Sequence, residues 1–397
     1  MIREIRKIYN REFTPEKYQI FLRDIGSLFG HQPAFRIAET PIFVPDALKE
    51  HLFRATKLIN DVIVNPSFLQ QSEGSLQDAY RVPNEDGHTT FLQMDFGITR
   101  SEDGELIPQL IEVQGFPSLY FYQHIVANMY AKHFYHPPGF SHLFTESAEE
   151  YIENLRELIV GNHDPKHVVL MEVEPDRQTT QIDFLLAGQM LGIKTLCISK
   201  LKKAGGTVYY EDEDGKKIQV HRIFNRVIRD ELLQRDDLPR EFHMNDDVQV
   251  EWIGHPNWFF RISKYTMPFL KNQYVPNTFF LKDLDHIPDN LEDYVLKPLF
   301  SFSGSGVIFH VNRETIEQTQ DPSNYILQRK VRYDPVVETP DEPVKCEVRM
   351  LMTWKKGAER PTMVNNLARL SKGEMIGVRY NRDKDWVGAS VGLFPVH

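Results

Sequence analysis

Cysteine is nearly absent. The 397 residues contain only Cys197 and Cys346. Both lie in apolar, strand-like surroundings and neither has metal-ligand spacing, which excludes a disulfide framework. No stretch approaches the roughly 20 consecutive apolar residues that cross a bilayer. The opening Met-Ile-Arg-Glu-Ile-Arg-Lys lacks the apolar core of a signal peptide. Positive charge is in deficit, with 46 Lys and Arg against 56 Asp and Glu and a net charge of −10. A nucleic-acid partner needs a basic face to neutralise phosphates, and none stands out. The expectation is a cytoplasmic protein that handles small molecules, with no membrane or nucleic acid as partner and its oligomeric state open.

What is present is ordinary in bulk. Hydrophobic residues make up 41% and charged residues 26%, as in a typical globular protein. The length suits two or three domains with real cores, and 26 Phe with 16 Tyr fit a large mixed core. The pattern divides into a mostly helical and polar region (1–88), a strand pair followed by helices (89–160), a small parallel α/β unit (161–240) and a strand-rich region (250–397). Helical spacing covers 15–28 and 46–64. Strands are expected over 89–98 and 106–113, around a turn at Ser101-Glu-Asp-Gly104. The strand–helix–strand succession over 167–198, its helix closed by Gly192, implies a parallel sheet. Loops at the C-terminal ends of such strands bind ligands. Asn225 and Arg226 are therefore either site residues or an ordinary solvated strand end.

The densest signal is Tyr-Val-Leu-Lys-Pro-Leu-Phe-Ser-Phe-Ser-Gly-Ser-Gly-Val-Ile-Phe, beginning at Tyr294. A strand ends on Lys297. A Ser/Gly loop follows with Ser301, Ser303, Gly304, Ser305 and Gly306, and a second strand is expected over 307–311. Glycine lets backbone N–H groups approach phosphate oxygens, and the lysine adds a point charge. Lys297 precedes the glycines and lies on a strand, so this is not the Walker pattern. It is either a β-hairpin lid over a nucleotide or a plain Gly/Ser hairpin beside a strand-end lysine.

Two further clusters bear on that choice. Asp95 and Glu112 face each other across the strand pair, and Gln114 shares a face with Glu112. Two carboxylates and an amide oxygen suit Mg²⁺, since an unpaired carboxylate pair repels itself. The alternative is a solvent-facing strand pair. Near the C-terminus, Glu347 and Arg349 alternate with apolar residues on one strand, and Arg369 lies on another. An arginine there can stabilise charge on a phosphoryl group. The alternative is a strand salt bridge between Glu347 and Arg349.

Together these clusters resemble the ATP-grasp superfamily. Lys297 and its hairpin are similar to the grasping loop. Tyr-Ile-Leu-Gln-Arg-Lys-Val (325–331) resembles the strand whose backbone holds adenine, which implies roles for Gln328, Arg329, Lys330 and Val331. Glu347-Val-Arg349 with Ala-Arg-Leu (368–370) is similar to strands of glutathione synthetase-like members. Ile-Glu-Val-Gln-Gly-Phe-Pro-Ser (111–118) resembles the metal strand and the substrate-facing loop behind it, with Asp95 as partner carboxylate. The metal strand comes before the grasping loop, as in the circularly permuted group that includes glutathionylspermidine synthetases. The Trp258 segment ending in Ser263-Lys264 resembles that group's Asn-Lys segment and makes Lys264 a second phosphate lysine. Gln114 stands where the family has Asn, and Gln93 where glutathionylspermidine synthetases have Arg.

The resemblance implies an α/β and α+β protein. Its fold would be an ATP-grasp fold in circularly permuted order beside a small parallel α/β domain. It implies that ATP with Mg²⁺ activates a small-molecule or peptide carboxylate as an acylphosphate, which an amine then attacks. Lys264 and Lys297 would hold phosphates, with Arg369 at the γ-phosphate and Arg349 beside it. Asp95, Glu112 and Gln114 would hold the metal, and Phe116, Pro117 and Ser118 would face the acceptor. A nucleotide-binding protein without ligase activity, and a phosphotransferase that stops at phosphorylation, are the alternatives.

Overall fold

The structure is a computed structural model that describes every residue except 31, 302–303, 374–375, 377–380, 382 and 397. Its centre is a five-stranded antiparallel sheet in the order Gly388–Ser390, Thr362–Ser371, Lys345–Thr353, Phe91–Arg100 and Leu106–Gln114. Strand alternation explains its two faces. Met94, Phe96, Ile98, Val348, Met350 and Met352 are buried in the main apolar core. The intervening residues Gln93, Asp95, Glu347 and Arg349 take the opposite face. The helix Tyr120–His133 packs against this sheet at Thr362–Ser371, and the helix Asp46–Ile63 packs at Leu106–Gln114.

A second sheet is wholly parallel, in the order Glu251–Ile253, Arg222–Asn225, Val168–Glu172 and Lys194–Cys197. Val168, Val169, Leu170 and Met171 are all fully buried, as expected of a strand covered on both faces. The helix Gln181–Leu191 makes the crossover, and Gly192 ends it in the left-handed region at φ 74°. A third sheet pairs Tyr325–Arg329 with Thr278–Phe280 on one side and Tyr294–Pro298 on the other. The strand expected at 307–311 does not form. Only Ile308 bridges back to Leu296, because Gly304 and Gly306 both take positive φ and Asn312 turns the chain into the short helix Arg313–Glu317.

The amino-terminal helices are specified by their ends. Thr14 accepts from the Lys17 N–H, Pro15 opens the helix Pro15–Phe29, and Gly30 closes it at φ 76°. The extended segment Ile42–Phe43 then pairs in parallel with Gly392 and Leu393. Arg6 is buried beneath this junction, donating to Thr40 Oγ1 and, at 2.8 and 3.0 Å, to Asn10 Oδ1.

Candidate functional site

The face of the central sheet turned away from the main core gathers its charges by register. Asp95 lies opposite Glu112 on one neighbour and opposite Arg349 on the other, while Glu347 lies opposite Arg369. Arg349 grips Asp95 through both ends, Nε to Oδ1 at 2.5 Å and Nη2 to Oδ2 at 2.6 Å. Arg369 donates to Asp95 Oδ2 at 3.1 Å and also pairs with Glu347. Asp95 is 2% exposed. Burial alone would raise its pKa, yet the two guanidinium groups hold it below the usual carboxylate range. Glu347 goes the other way: burial raises it despite Arg369. Tyr333 Oη donates to Glu347 Oε2 at 3.1 Å. It can do so because the residue beneath it is Gly97, where a Cβ would come within 2.6 Å of the Tyr333 ring.

Two lysines complete the arrangement. Lys297 comes from the third sheet, and its Nζ donates at 3.1 Å to the carbonyl of Ile111. Ile111 is the extra residue of a β-bulge opposite Asp95 and Phe96, so the bulge points a carbonyl where a straight strand would bond its neighbour. Burial lowers the Lys297 amine to about 8. Lys264 begins a 3₁₀ turn set by a reciprocal cap, in which Ser263 Oγ accepts from the Tyr265 N–H and Thr266 Oγ1 accepts from the Ser263 N–H. Its Nζ donates to the Ser301 carbonyl at 2.6 Å and lies 3.7 Å from Glu112 Oε2.

The site thus carries four cations, Lys264, Lys297, Arg349 and Arg369, against three carboxylates, Asp95, Glu112 and Glu347. It is tightly closed. The cavity between Glu112, Gln114, Phe116, Phe259, Lys264 and Ser301 measures about 20 Å³, room for a single water. A larger cavity of about 440 Å³ lies elsewhere, at the C-terminal end of the parallel sheet beside Glu174, Arg177, Gln181, Cys197 and Lys200.

No protein-family model matches the chain, and no curated protein sequence matches it. Among solved structures it is similar to a glutathione synthetase-like effector from Globodera pallida in apo form. Identity is 11%, the TM-score is 0.58, and the match covers 98% of this chain and 99% of that one. It also matches, at a TM-score of 0.39 and 12% identity, a protein provisionally named gamma-glutamylcysteine synthetase from Methylobacillus flagellatus. That match covers 86% of this chain and 87% of the other. The first likeness runs the length of both chains. The chain has a glutathione synthetase-like fold.

On this synthetase-like fold the residues singled out from the sequence fall into three groups. Asp95, Glu112, Gln114, Lys264, Lys297, Arg349 and Arg369 meet at the one place described above. Gln328 joins them, 1% exposed, with Nε2 3.4 Å from the Leu110 carbonyl and Oε1 unpartnered. Phe116 lines the small cavity, and Pro117 follows it. Ser118 is buried and its carbonyl accepts from Gln93 Nε2 at 3.2 Å. The loop ends on Leu119, a non-glycine residue at φ 63°, a conformation that costs about 1–2 kcal/mol.

The second group stands at the edge. Gly304, Ser305 and Gly306 form an exposed turn, and Gly306 has no room for a Cβ, which would lie 2.9 Å from Pro298. Arg329 is exposed, its N–H held by the Asn277 carbonyl. Lys330 turns to the Glu292 carbonyl at 2.8 Å and the Phe309 ring. Val331 rests over Gly97. Ser303 lies outside the described residues.

The third group is Asn225 and Arg226, which are buried and do not form a solvated strand end. Asn225 bonds the Gly254 carbonyl and the Val227 N–H, both at 3.2 Å. Arg226 pairs with Asp183 at 3.2 Å beneath the Phe116 ring. Nor does Glu347 pair with Arg349. Each takes a partner on a neighbouring strand.

A divalent cation, implied by the sequence resemblance, can be tested on these donors. Among the described residues no group of three or more His, Cys, Asp or Glu is placed to hold a metal. Both Asp95 oxygens are taken by arginine. What remains is Glu112 and the amide oxygen of Gln114, buried and unpartnered, while the Gln114 amide nitrogen donates to Glu112 at 2.5 Å. These two fit an Mg²⁺ held mainly by water and ligand phosphates, and not a cage built by protein alone. Sequence reasoning missed Phe300 and Tyr333, and it named Ile111 and Ser301 without foreseeing that their backbone carbonyls hold the lysines. Their roles depend on a bulge, a loop carbonyl and a chain crossing. Only Gly97, at the centre of an apolar strand, signalled such a close approach.

Proposed function

We propose that this chain is an ATP-dependent carboxylate–amine ligase of the ATP-grasp type in permuted order. The observation that carries the reading is the meeting of Lys264, Lys297, Arg349 and Arg369 over three carboxylates on one sheet face, a surplus of positive charge suited to a polyanion. Lys264 and Lys297 would exchange their backbone carbonyls for phosphate oxygens. Arg369 would stabilise the transferring phosphoryl group, with Asp95 orienting both arginines from behind. Mg²⁺, held by Glu112, Gln114 and phosphate oxygens, would neutralise charge developing on the phosphates. Gln328 and the backbone at Arg329, Lys330 and Val331 would hold the base. Phe116, Pro117, Ser118 and Arg226 would face the substrates, and Asn225 would fix the strand end beside them. Closure by the third sheet would keep water from an acylphosphate.

Titration with a non-hydrolysable ATP analogue, with and without Mg²⁺, tests this reading. Magnesium-dependent binding that Lys297→Met weakens by about 100-fold or more, with cooperative unfolding retained and a melting temperature no lower than wild type, is expected. Equal binding by wild type and variant would sink it.

A second reading has one observation in its favour. Both lysines already have backbone partners and the cavity is nearly filled, which also suits a protein that binds without ligating. Nucleotide binding with no ADP release for any carboxylate and amine pair would select it.

A further inference from the structure

The small cavity beside Lys264 has a mixed lining. One wall is polar, with Glu112, Gln114 and the Lys264 amine. The other is aromatic, with Phe116 and Phe259 edge-to-face at 6.3 Å. Phe260 lies behind them, edge-to-face with Phe259 at 5.2 Å and stacked on Tyr80 at 5.9 Å. Phe116, Phe259 and Phe260 form a separate apolar cluster with Leu76. So large an aromatic surface beside a charged amine is more than positioning a phosphate requires.

The chain itself indicates what fits there. Loop residues 299–301 present two groups to this cavity at once. The Ser301 carbonyl sits on Lys264 Nζ at 2.6 Å, and the Phe300 ring packs edge-to-face on Phe260 at 5.1 Å. A carbonyl oxygen on the ammonium, with a benzyl group on the preceding residue, is the outline of a peptide end. The loop is an imperfect occupant. The Ser301 hydroxyl is buried with no partner, a cost of about 1–3 kcal/mol, and its carbonyl is neutral where a carboxylate would add charge–charge attraction to the bond.

We infer that this site takes a short peptide whose terminal carboxylate lies on Lys264 and whose next-to-last residue is aromatic, with loop residues 299–301 as its built-in competitor. The inference rests on the ligase reading in making that carboxylate the group to be activated, with the three N–H donors of Lys264 shared between the carboxylate and a phosphate oxygen. Binding of the peptide alone tests it separately.

The probes are N-acetyl-Phe-Ser, its C-terminal amide and N-acetyl-Glu-Ser, titrated calorimetrically into the full chain without nucleotide. N-acetyl-Phe-Ser should bind at least about tenfold more tightly than either comparison peptide. Phe260→Ala should remove that preference, and Phe300→Ala should strengthen binding a few-fold by removing the competitor. Equal affinities for the three peptides, no binding to wild type or Phe300→Ala, or weaker binding by Phe300→Ala would each overturn the inference. If Phe260→Ala does not fold, Phe300→Ala decides. Selective peptide binding without MgATP-dependent ADP release would overturn the ligase reading and keep the subsite. ADP release driven only by acidic peptides would do the reverse.

Discussion

The two cavities make an instructive pair. The larger, at the end of the parallel sheet, is open and lined by Asp176, Arg177 and Lys200, all with solvent at hand. The smaller, on the central sheet, has almost no volume and is lined by Glu112 and Lys264, two of the seven charged groups gathered on that face. Volume marks where a ligand could lie without rearrangement. Density of paired charge marks where the fold has invested energy, because buried ions cost several kcal/mol each unless partnered. The second kind of place is tested by removing single partners.

Asp95→Asn should give the largest effect. It leaves the buried Arg349 without its anion, takes one of two partners from the half-buried Arg369, and should cost about 3–5 kcal/mol in urea denaturation. Asp176→Asn, in the larger cavity, should stay within about 0.5 kcal/mol. Similar costs for the two would erase the contrast.

Next comes Glu172, at the end of the parallel strand Val168–Glu172, which burial raises to about 8. Its folded value lies above its unfolded value of 4.5. Its stabilising contribution is therefore full below the unfolded value and lost as pH rises through about 8. Glu172→Gln should flatten the stability profile over that window, removing a slope of at most about 1.4 kcal/mol per pH unit. An unchanged profile would mean that the carboxylate is ionised throughout.

Lys297 has the opposite sign. Burial lowers its amine from 10.5 to about 8. Its contribution to stability is present above the unfolded value and lost as pH falls through about 8. An anionic ligand needs the charged form, so affinity for an ATP analogue should fall up to about tenfold per unit as pH rises past about 8. Binding there should take up a proton, seen as a buffer-dependent heat that Lys297→Met abolishes. A flat profile would place Lys297 outside the ligand's reach. The smallest effect belongs to Tyr333→Phe, which removes the hydroxyl from Glu347 and should cost about 1 kcal/mol, read from the shift in urea midpoint.

Local signals were readable in the sequence where local chemistry decided the structure. The turn at Gly104, at φ 84°, brings Asp95 opposite Glu112, and the helix ending at Gly192 follows the expected stop. The hairpin after Lys297 was half legible. Its glycines turn as expected, but the pattern at Val307 to Val311 could not reveal that Asn312 would cap a helix and draw the chain from the sheet. Asn225 and Arg226 read as strand-end polar residues, and only packing from the Phe116 loop and Asp183 buries them. The pairing of Arg349 with Asp95 joins residues 254 positions apart, beyond the reach of any periodicity. The bulge at Ile111 leaves no mark in composition, yet it aims the carbonyl that Lys297 holds.

The pairing of Ile42 and Phe43 with Gly392 and Leu393 also sets a timetable. A ribosome adds about 5–20 residues each second, so the amino-terminal segment waits on the order of tens of seconds for its partner strand to exist. Meanwhile Ile42, Phe43 and Val44, all fully buried in the finished protein, have nothing to cover them. Pairings so distant in sequence are slow to close. Until Gly392 and Leu393 are made, the nascent chain therefore carries these apolar residues without the partner strand that pairs with them.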